Sequence, residues 1–258
     1  MKNTIGRKSE EMYWILQYGT PKRKITHQEI LANPELIERP VFFLSTGRCG
    51  TKWFARVLDL DRTVKANHEP IPTFSMQNNF AYRMWKDERV PLEVKLDAME
   101  NIFTAGREQH LRYAYKSEKR YIETNNQLTF FAPGLARMFP DAQFVHLYRH
   151  PGEFVRSGMR RGWFDHNEPA TLKIIRPQSG AGVPWDSYSQ IQKIAWVWKE
   201  TNLFIERFLL DLDEDRKFLF DFNEKSFGTV RKMVDFLGVD LSDQQIEKKL
   251  DEIGRAHV

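Results

Sequence analysis

The chain has 258 residues, 41% of them hydrophobic and 29% charged, which supplies one sizeable α/β domain and excludes global disorder. Its single cysteine, Cys49, excludes an intramolecular disulfide framework and suits a reducing, cytoplasmic setting. The formal net charge of +4 fits an anionic partner but is also ordinary surface composition, so the placement of charge matters more than its total.

No apolar segment follows the basic residues of the N-terminus, and no run of about 18 apolar residues occurs, so neither a signal peptide nor a membrane span is expected. Residues 1–39 are polar and basic and are expected to form an N-terminal extension, with a short amphipathic helix over residues 10–18. Residues 40–258 are expected to form a single domain. Residues 41–44, after Pro40, are a compact apolar run that predicts a buried parallel strand. Over residues 52–60, Trp53, Phe54, Val57 and Leu58 fall at helical spacing.

The same strand-then-helix order recurs downstream. Residues 120–124 (RYIET) read as a strand, followed by a helix through Leu135, Ala136 and Met138. Residues 143–148 (QFVHLY) form the next strand, and residues 152–162 turn helical, with Pro151 suited to a first helical position. Residues 190–210 predict an amphipathic helix carrying Trp196 and Trp198 into the core, residues 217–222 a last strand, and residues 226–238 a helix capped by glycine. This alternation predicts an α/β fold with a mainly parallel sheet and crossover helices. Residues 71–89 and 164–186 break the rhythm and are expected to be irregular, substrate-covering segments. Arg149, Arg156, Arg160 and Arg161 cluster near Trp163 and Phe164, which suits an anionic ligand, and no nucleic-acid motif accompanies them.

Residues 44–53 (LSTGRCGTKW) join the first strand to its helix. A glycine-rich turn at that position gathers backbone N–H groups at the positive end of a helix dipole, where phosphate oxygens fit. Gly47 and Gly50 supply positive φ, Arg48 and Lys52 charge, and Thr51 a hydroxyl. The order Thr51-Lys52 and the short glycine spacing depart from the GxxxxGK[ST] loop that holds magnesium-ATP. A P-loop kinase or NTPase transferring phosphate from ATP stays open as an alternative, as does a noncatalytic nucleotide-binding protein. Residues 218–221 (FLFD) imitate the acidic strand of such an enzyme but read as a core strand. In residues 144–164, Arg149 ends a strand and Ser157 follows in the next helix, both at the ligand edge of a parallel sheet, where they suit a second phosphate.

With these two elements in this order, the chain resembles the sulfotransferases that use 3′-phosphoadenosine 5′-phosphosulfate (PAPS). That family has a (K/R)SGT(T/S) loop after the first strand and a later R-x7-S element; here they are matched by RCGTKW at residues 48–53 and by Arg149 with Ser157. FPDAQFVHLYRHP at residues 139–151 and MVDFLGV at residues 233–239 extend the resemblance, and His68-Glu69-Pro70 is most similar to the Golgi carbohydrate branch and its bacterial relatives. Cys49, Lys52 and His150 depart from the usual residues, and the RKGxxGDW element of cytosolic relatives is absent before the end at Arg255-Ala256-His257-Val258.

The resemblance implies a P-loop-type three-layer α/β/α fold and sulfuryl transfer from PAPS to an acceptor hydroxyl, with no metal. It assigns donor binding to Gly47, Arg48, Cys49, Gly50, Thr51, Lys52, Trp53, Arg149 and Ser157, with Trp53 stacked on adenine and Arg48 and Lys52 stabilising the leaving phosphate. Glu69 is the expected general base and His68 the runner-up, against the plainer reading of a turn before Pro70. Glu123, Thr124 and Asn125 are candidates for acceptor contact or for a strand-end cap, and Cys49 for a reactive thiol. The implied acceptor is a carbohydrate or other small-molecule hydroxyl. A lipid, a small alcohol or a peptide tyrosine would use the same donor machinery.

Overall fold

Short segments of four to six residues form strands β1 (Val41–Ser45), β2 (Val64–Asn67), β3 (Arg120–Glu123), β4 (Gln143–Tyr148) and β5 (Lys217–Asp221). They make one parallel five-stranded sheet in the order β2-β3-β1-β4-β5. This computed structural model describes residues 2–178 and 180–255, so Ala256-His257-Val258 lies outside the described residues.

β1 is buried along its whole length, as a strand covered on both faces must be. Its alternation sends Phe42 and Leu44 into one core and Val41 and Phe43 into the other. The helices are α1 (Lys2–Tyr18), α2 (His27–Ala32), α3 (Thr51–Leu58), α4 (Ser75–Lys86), α5 (Leu92–Lys116), α6 (Ala132–Met138), α7 (Pro151–Arg160), α8 (Glu168–Thr171), α9 (Gln190–Leu210), α10 (Phe227–Leu237) and α11 (Asp243–Arg255). One core joins β1 and β4 to α5, α6 and α9 through Phe103, Leu135, Phe144 and Ile205; the other joins them to α3, α10 and α11 through Phe54, Val145, Val230 and Ile246.

The fold differs from the sequence expectation at the first of the two irregular segments. Residues 75–86 are the regular helix α4, whose buried side carries Asn78, Asn79, Ala81 and Tyr82. A helix that buries two asparagines lacks the apolar stripe that would announce it. Among the described residues of 164–186, the only regular elements are α8 and the start of a 3-10 turn at Trp185–Ser187. Toward the N-terminus, α1 packs Trp14 and Tyr18 into the core, with Trp14 stacked on Tyr113 of α5 at 5.1 Å between ring centres.

Register aligns the strand ends. Ser45 lies beside Leu147, and Asn67 beside Glu123. The chain leaves β1 between β3 and β4, and the loops after β1, β2, β3 and β4 therefore open on one crevice at the carboxyl edge.

Candidate active site

The end of β1 is pinned before its loop begins. Thr129 Oγ1 donates to the Ser45 carbonyl at 3.0 Å and accepts from Ser45 N at 3.1 Å, while Ser45 Oγ accepts from Gly47 N at 3.1 Å. Gly47, Arg48 and Gly50 then take φ values of 81°, 60° and 76°. Glycine is required at Gly50 twice over, because a Cβ there would lie 2.4 Å from the Phe222 ring. Gly50 is the N-cap of α3 and no side chain caps it, so the first amides of that helix are left for an outside acceptor.

The second basic element closes on the first. The Arg149 guanidinium donates to the Arg48 carbonyl and lies 3.2 Å from Glu153, while the Trp198 indole N–H holds the Arg149 carbonyl at 2.8 Å. Pro151 opens α7, which carries the buried Ser157 to within 3.4 Å of Arg48 Nε. Burial, together with the nearby charges of Arg161 and Arg149, holds the Arg48 guanidinium below its ordinary pKa. A cation crowded by other cations is a site that an anion stabilises.

The third wall comes from β2 and β3. His68 Nδ1 lies 3.0 Å from the Thr124 carbonyl, which can only accept, so Nδ1 is the donor of this hydrogen bond. Glu69 is exposed and takes a φ of 45°. Glu123 belongs to the protein's interior. It is fully buried, paired with Arg107 at 2.8 Å, and accepts from Tyr121 and Asn125, so contact with an acceptor is not its role. Asn125 caps the following 3-10 turn by accepting from Gln127 N at 3.0 Å. All three walls face one cleft of about 730 Å³, lined among others by Arg48, Lys52, His68, Glu69, Arg149 and Arg161.

Comparison with known proteins matches residues 40–243 to the model of the sulfotransferase family. The chain belongs to the sulfotransferase family. Its fold is similar to the sulfotransferase domain from the curacin biosynthetic pathway, with a TM-score of 0.51 and 14% identity over 81% of this chain and 76% of that one. It is also similar to sulfotransferase STF9 from Mycobacterium avium, with a TM-score of 0.48 and 14% identity over 89% and 72% of the two chains. No curated protein sequence matches.

This sulfotransferase brings Gly47, Arg48, Gly50, Thr51, Lys52, Trp53 and Arg149 together on its cleft, with Ser157 just behind Arg48. Cys49 turns the other way. Its thiol is buried, donates to the Gly47 carbonyl at 3.0 Å, and is pushed up by burial to a pKa of about 11, so it is an unreactive part of the loop's scaffold. The Trp53 indole N–H is committed to the Lys249 carbonyl at 2.9 Å, which ties α11 to the cleft. The aspartate of FLFD, Asp221, accepts from Asn223 N at 2.8 Å as a local cap.

Sequence reasoning missed Asn126, Gln127, Phe222 and Glu252, which also line the cleft. A Cβ at Gly47 would meet Asn126 Nδ2 at 3.0 Å, and Gln127 Oε1 is buried with no protein donor among the described residues. No spacing marks these residues, because Asn126 and Gln127, Phe222 and Glu252 lie on three elements far apart in sequence that the fold brings together. Among the described residues, no helix is long and apolar enough to cross a membrane.

Proposed function

We propose that this sulfotransferase moves the sulfuryl group of PAPS to the hydroxyl of a small-molecule acceptor, in the cytoplasm, where a lone thiol stays reduced. The observation that carries the reading is the convergence of two cationic elements, the Gly47–Lys52 nest and Arg149, on one cleft, with Ser157 just behind Arg48. A ligand with phosphates at two separate positions matches that pair of anion sites better than a linear triphosphate does. The amides of Gly50 and Thr51, with Arg48 and Lys52, hold the 5′ end, and Arg149 with Ser157 holds the 3′-phosphate. Trp53 and Phe222 offer faces to the base.

The donor supplies a sulfuryl group on a phosphate leaving group. The cations and amides stabilise the charge that builds there. The acceptor hydroxyl needs its proton removed at the opposite side of the cleft. The hydrogen bond from Nδ1 to the Thr124 carbonyl fixes the ring of cleft-lining His68 and leaves Nε2 as the nitrogen that can take a proton, which favours His68 over Glu69 as the base. Glu69 then contributes charge beside Arg48.

His68→Ala should lower turnover by roughly 100-fold or more, and Glu69→Gln by less, with the affinity for adenosine 3′,5′-bisphosphate unchanged in both. Sulfur-labelled PAPS and an acceptor panel measure the first quantity, and titration calorimetry with EDTA present measures the second. Unaffected turnover in both variants would remove the base assignment. Absence of bisphosphate binding by the unaltered protein would remove the PAPS reading itself.

A further inference from the structure

The donor accounts for Arg48, Lys52 and Arg149 among the six basic side chains that line the cleft. Arg56, a fourth, acts on the carboxylate of Glu252. The remaining two, Arg161 and Lys173, are exposed, and neither side chain makes a hydrogen bond or an ion pair among the described residues. One hydrogen-bonded loop holds them both. Asn167 grips its first end, donating from Nδ2 to the Arg161 carbonyl at 2.9 Å and from N to the Gly162 carbonyl at 3.0 Å. The buried Thr171 closes its other end, where Oγ1 donates to the Asn167 carbonyl at 2.8 Å and accepts from Phe164 N at 2.9 Å. Lys173 follows directly after Leu172, whose carbonyl is fastened to α4 by Asn79 Nδ2 at 2.9 Å.

Arg161 stands at the opposite end of α7 from Arg149. The helix opens at Pro151 and Arg161 caps its last turn, so at about 1.5 Å per residue its two ends are about 15 Å apart. Arg48 sits between them. Its Nε reaches Ser157 and, beyond burial, its pKa is lowered first by the charge of Arg161 and then by that of Arg149. A cation at a helix C-terminus also complements the helix dipole, but Arg160 would serve that purpose and does not line the cleft. The wall nearby is polar as well. Asn78 is buried and lines the cleft; its Oδ1 accepts from Phe130 N at 3.3 Å, and its Nδ2 has no protein partner among the described residues.

We propose that the acceptor is an anionic alcohol, with its hydroxyl at His68 and its carboxylate, or an equivalent oxyanion, held by Arg161 and Lys173. This rests on the PAPS reading above and narrows its acceptor. The donor's own phosphates do not satisfy this pair of cations, because they are anchored by Arg149 and the nest, on the other side of Arg48. A neutral alcohol leaves both cations unpaired. An oxyanion takes charge-assisted hydrogen bonds from them, two of them from the planar fork of Arg161. Asn78 Nδ2 is then a donor for a further oxygen of the same molecule.

The test uses the full chain saturated with adenosine 3′,5′-bisphosphate, which occupies the donor cations, and size-matched pairs of neutral and anionic alcohols. The pairs are methyl glucoside with methyl glucuronide, 1,6-hexanediol with 6-hydroxyhexanoate, and 1,4-benzenedimethanol with 4-(hydroxymethyl)benzoate. Calorimetry at low salt reads the dissociation constants. In at least one pair the anionic member should bind about ten-fold tighter or more, and the preference should shrink as salt is added. Arg161→Gln/Lys173→Gln should bring that ratio close to one. Arg160→Gln/Lys199→Gln, which removes the same charge from exposed side chains outside the cleft lining, should preserve it. Bisphosphate binding by each variant reports that it is folded.

Equal affinities within every pair, a preference that Arg161→Gln/Lys173→Gln retains, or an equal loss in Arg160→Gln/Lys199→Gln overturns the proposal. So does failure of every anionic alcohol to bind the bisphosphate-loaded chain, and in each of these cases the donor reading stands. If the bisphosphate itself fails to bind the unaltered protein, the PAPS reading fails and the acceptor assignment falls with it.

Discussion

Cys49 lies between Arg48 and Gly50 in a cationic loop, a position that by itself favours the thiolate. Burial outweighs those charges, and hydrogen bonding to the Gly47 carbonyl uses the thiol as a donor, so its pKa rises to about 11. The folded state therefore holds this proton at pH values where the unfolded chain has already released it. The stabilising contribution is complete below the ordinary thiol value of 9.0 and is lost as pH rises toward about 11. By the size of that shift it amounts to about 3 kcal/mol at most. Wild type and Cys49→Ala, compared by urea denaturation between pH 8 and pH 11, should show a stability difference that moves against the wild type as pH rises. Iodoacetamide should label Cys49 slowly in the native protein at neutral pH and rapidly in urea. Rapid native labelling would contradict the buried, protonated thiol.

The turn after β2 shows how an element far away in sequence shapes the site. Residues 67–72 carry His68 and Glu69, and they are held at several points: Tyr18 of α1 donates to Asn67 Oδ1 at 3.0 Å, His110 Nε2 lies 3.2 Å from the Ile71 carbonyl, and Arg107 donates to the Pro72 carbonyl at 2.7 Å. Tyr18 also meets His110 Nδ1 at 2.7 Å, so α1 and α5 grip the turn jointly. Tyr18→Phe removes the hydroxyl and leaves Asn67 and His110 buried without it. Turnover should fall several-fold while bisphosphate affinity stays constant, because the donor loop is untouched. A parallel loss of both would mean that Tyr18 supports the whole fold rather than the turn. No motif announces this grip, since Tyr18 and His110 lie in helices with no functional signature and meet only through packing.

What the sequence reveals of the whole molecule follows how the burial is made. β4 and α9 match their expected spans, and β1 differs by a single residue, because apolar side chains hold most of their buried positions, with Gln143, His146, Thr201 and Asn202 the polar ones in β4 and α9. The donor half of the site is legible for a related reason, as a nest with adjoining cations needs local residues at fixed spacing. α5 escapes notice because Lys95, Arg107 and His110 stand among its buried residues, and β2 because its four residues, VKAN, include only one branched apolar side chain. Those polar interiors cannot be inferred without knowing their partners. Glu123 and Arg107, both fully buried, are the central pair.

For Glu123, burial alone would raise the pKa, but Arg107 and hydrogen bonds from Tyr121 and Asn125 hold it below the ordinary value. Its contribution to stability is thus present above the ordinary glutamate pKa of 4.5 and is lost as pH falls through the depressed folded value. Arg107→Leu should cost about 3–5 kcal/mol at neutral pH, because it strands a buried carboxylate. In that variant burial is opposed only by the hydrogen bonds from Tyr121 and Asn125, so Glu123 takes its proton more readily in the folded state and the variant should regain stability relative to wild type as pH is lowered from 7 toward 5. The double variant Arg107→Leu/Glu123→Leu, which buries no charge, should recover much of the loss at neutral pH. Urea midpoints for these variants between pH 5 and pH 8 would measure both effects. A deficit in Arg107→Leu that is independent of pH and of Glu123 would locate the damage in packing instead.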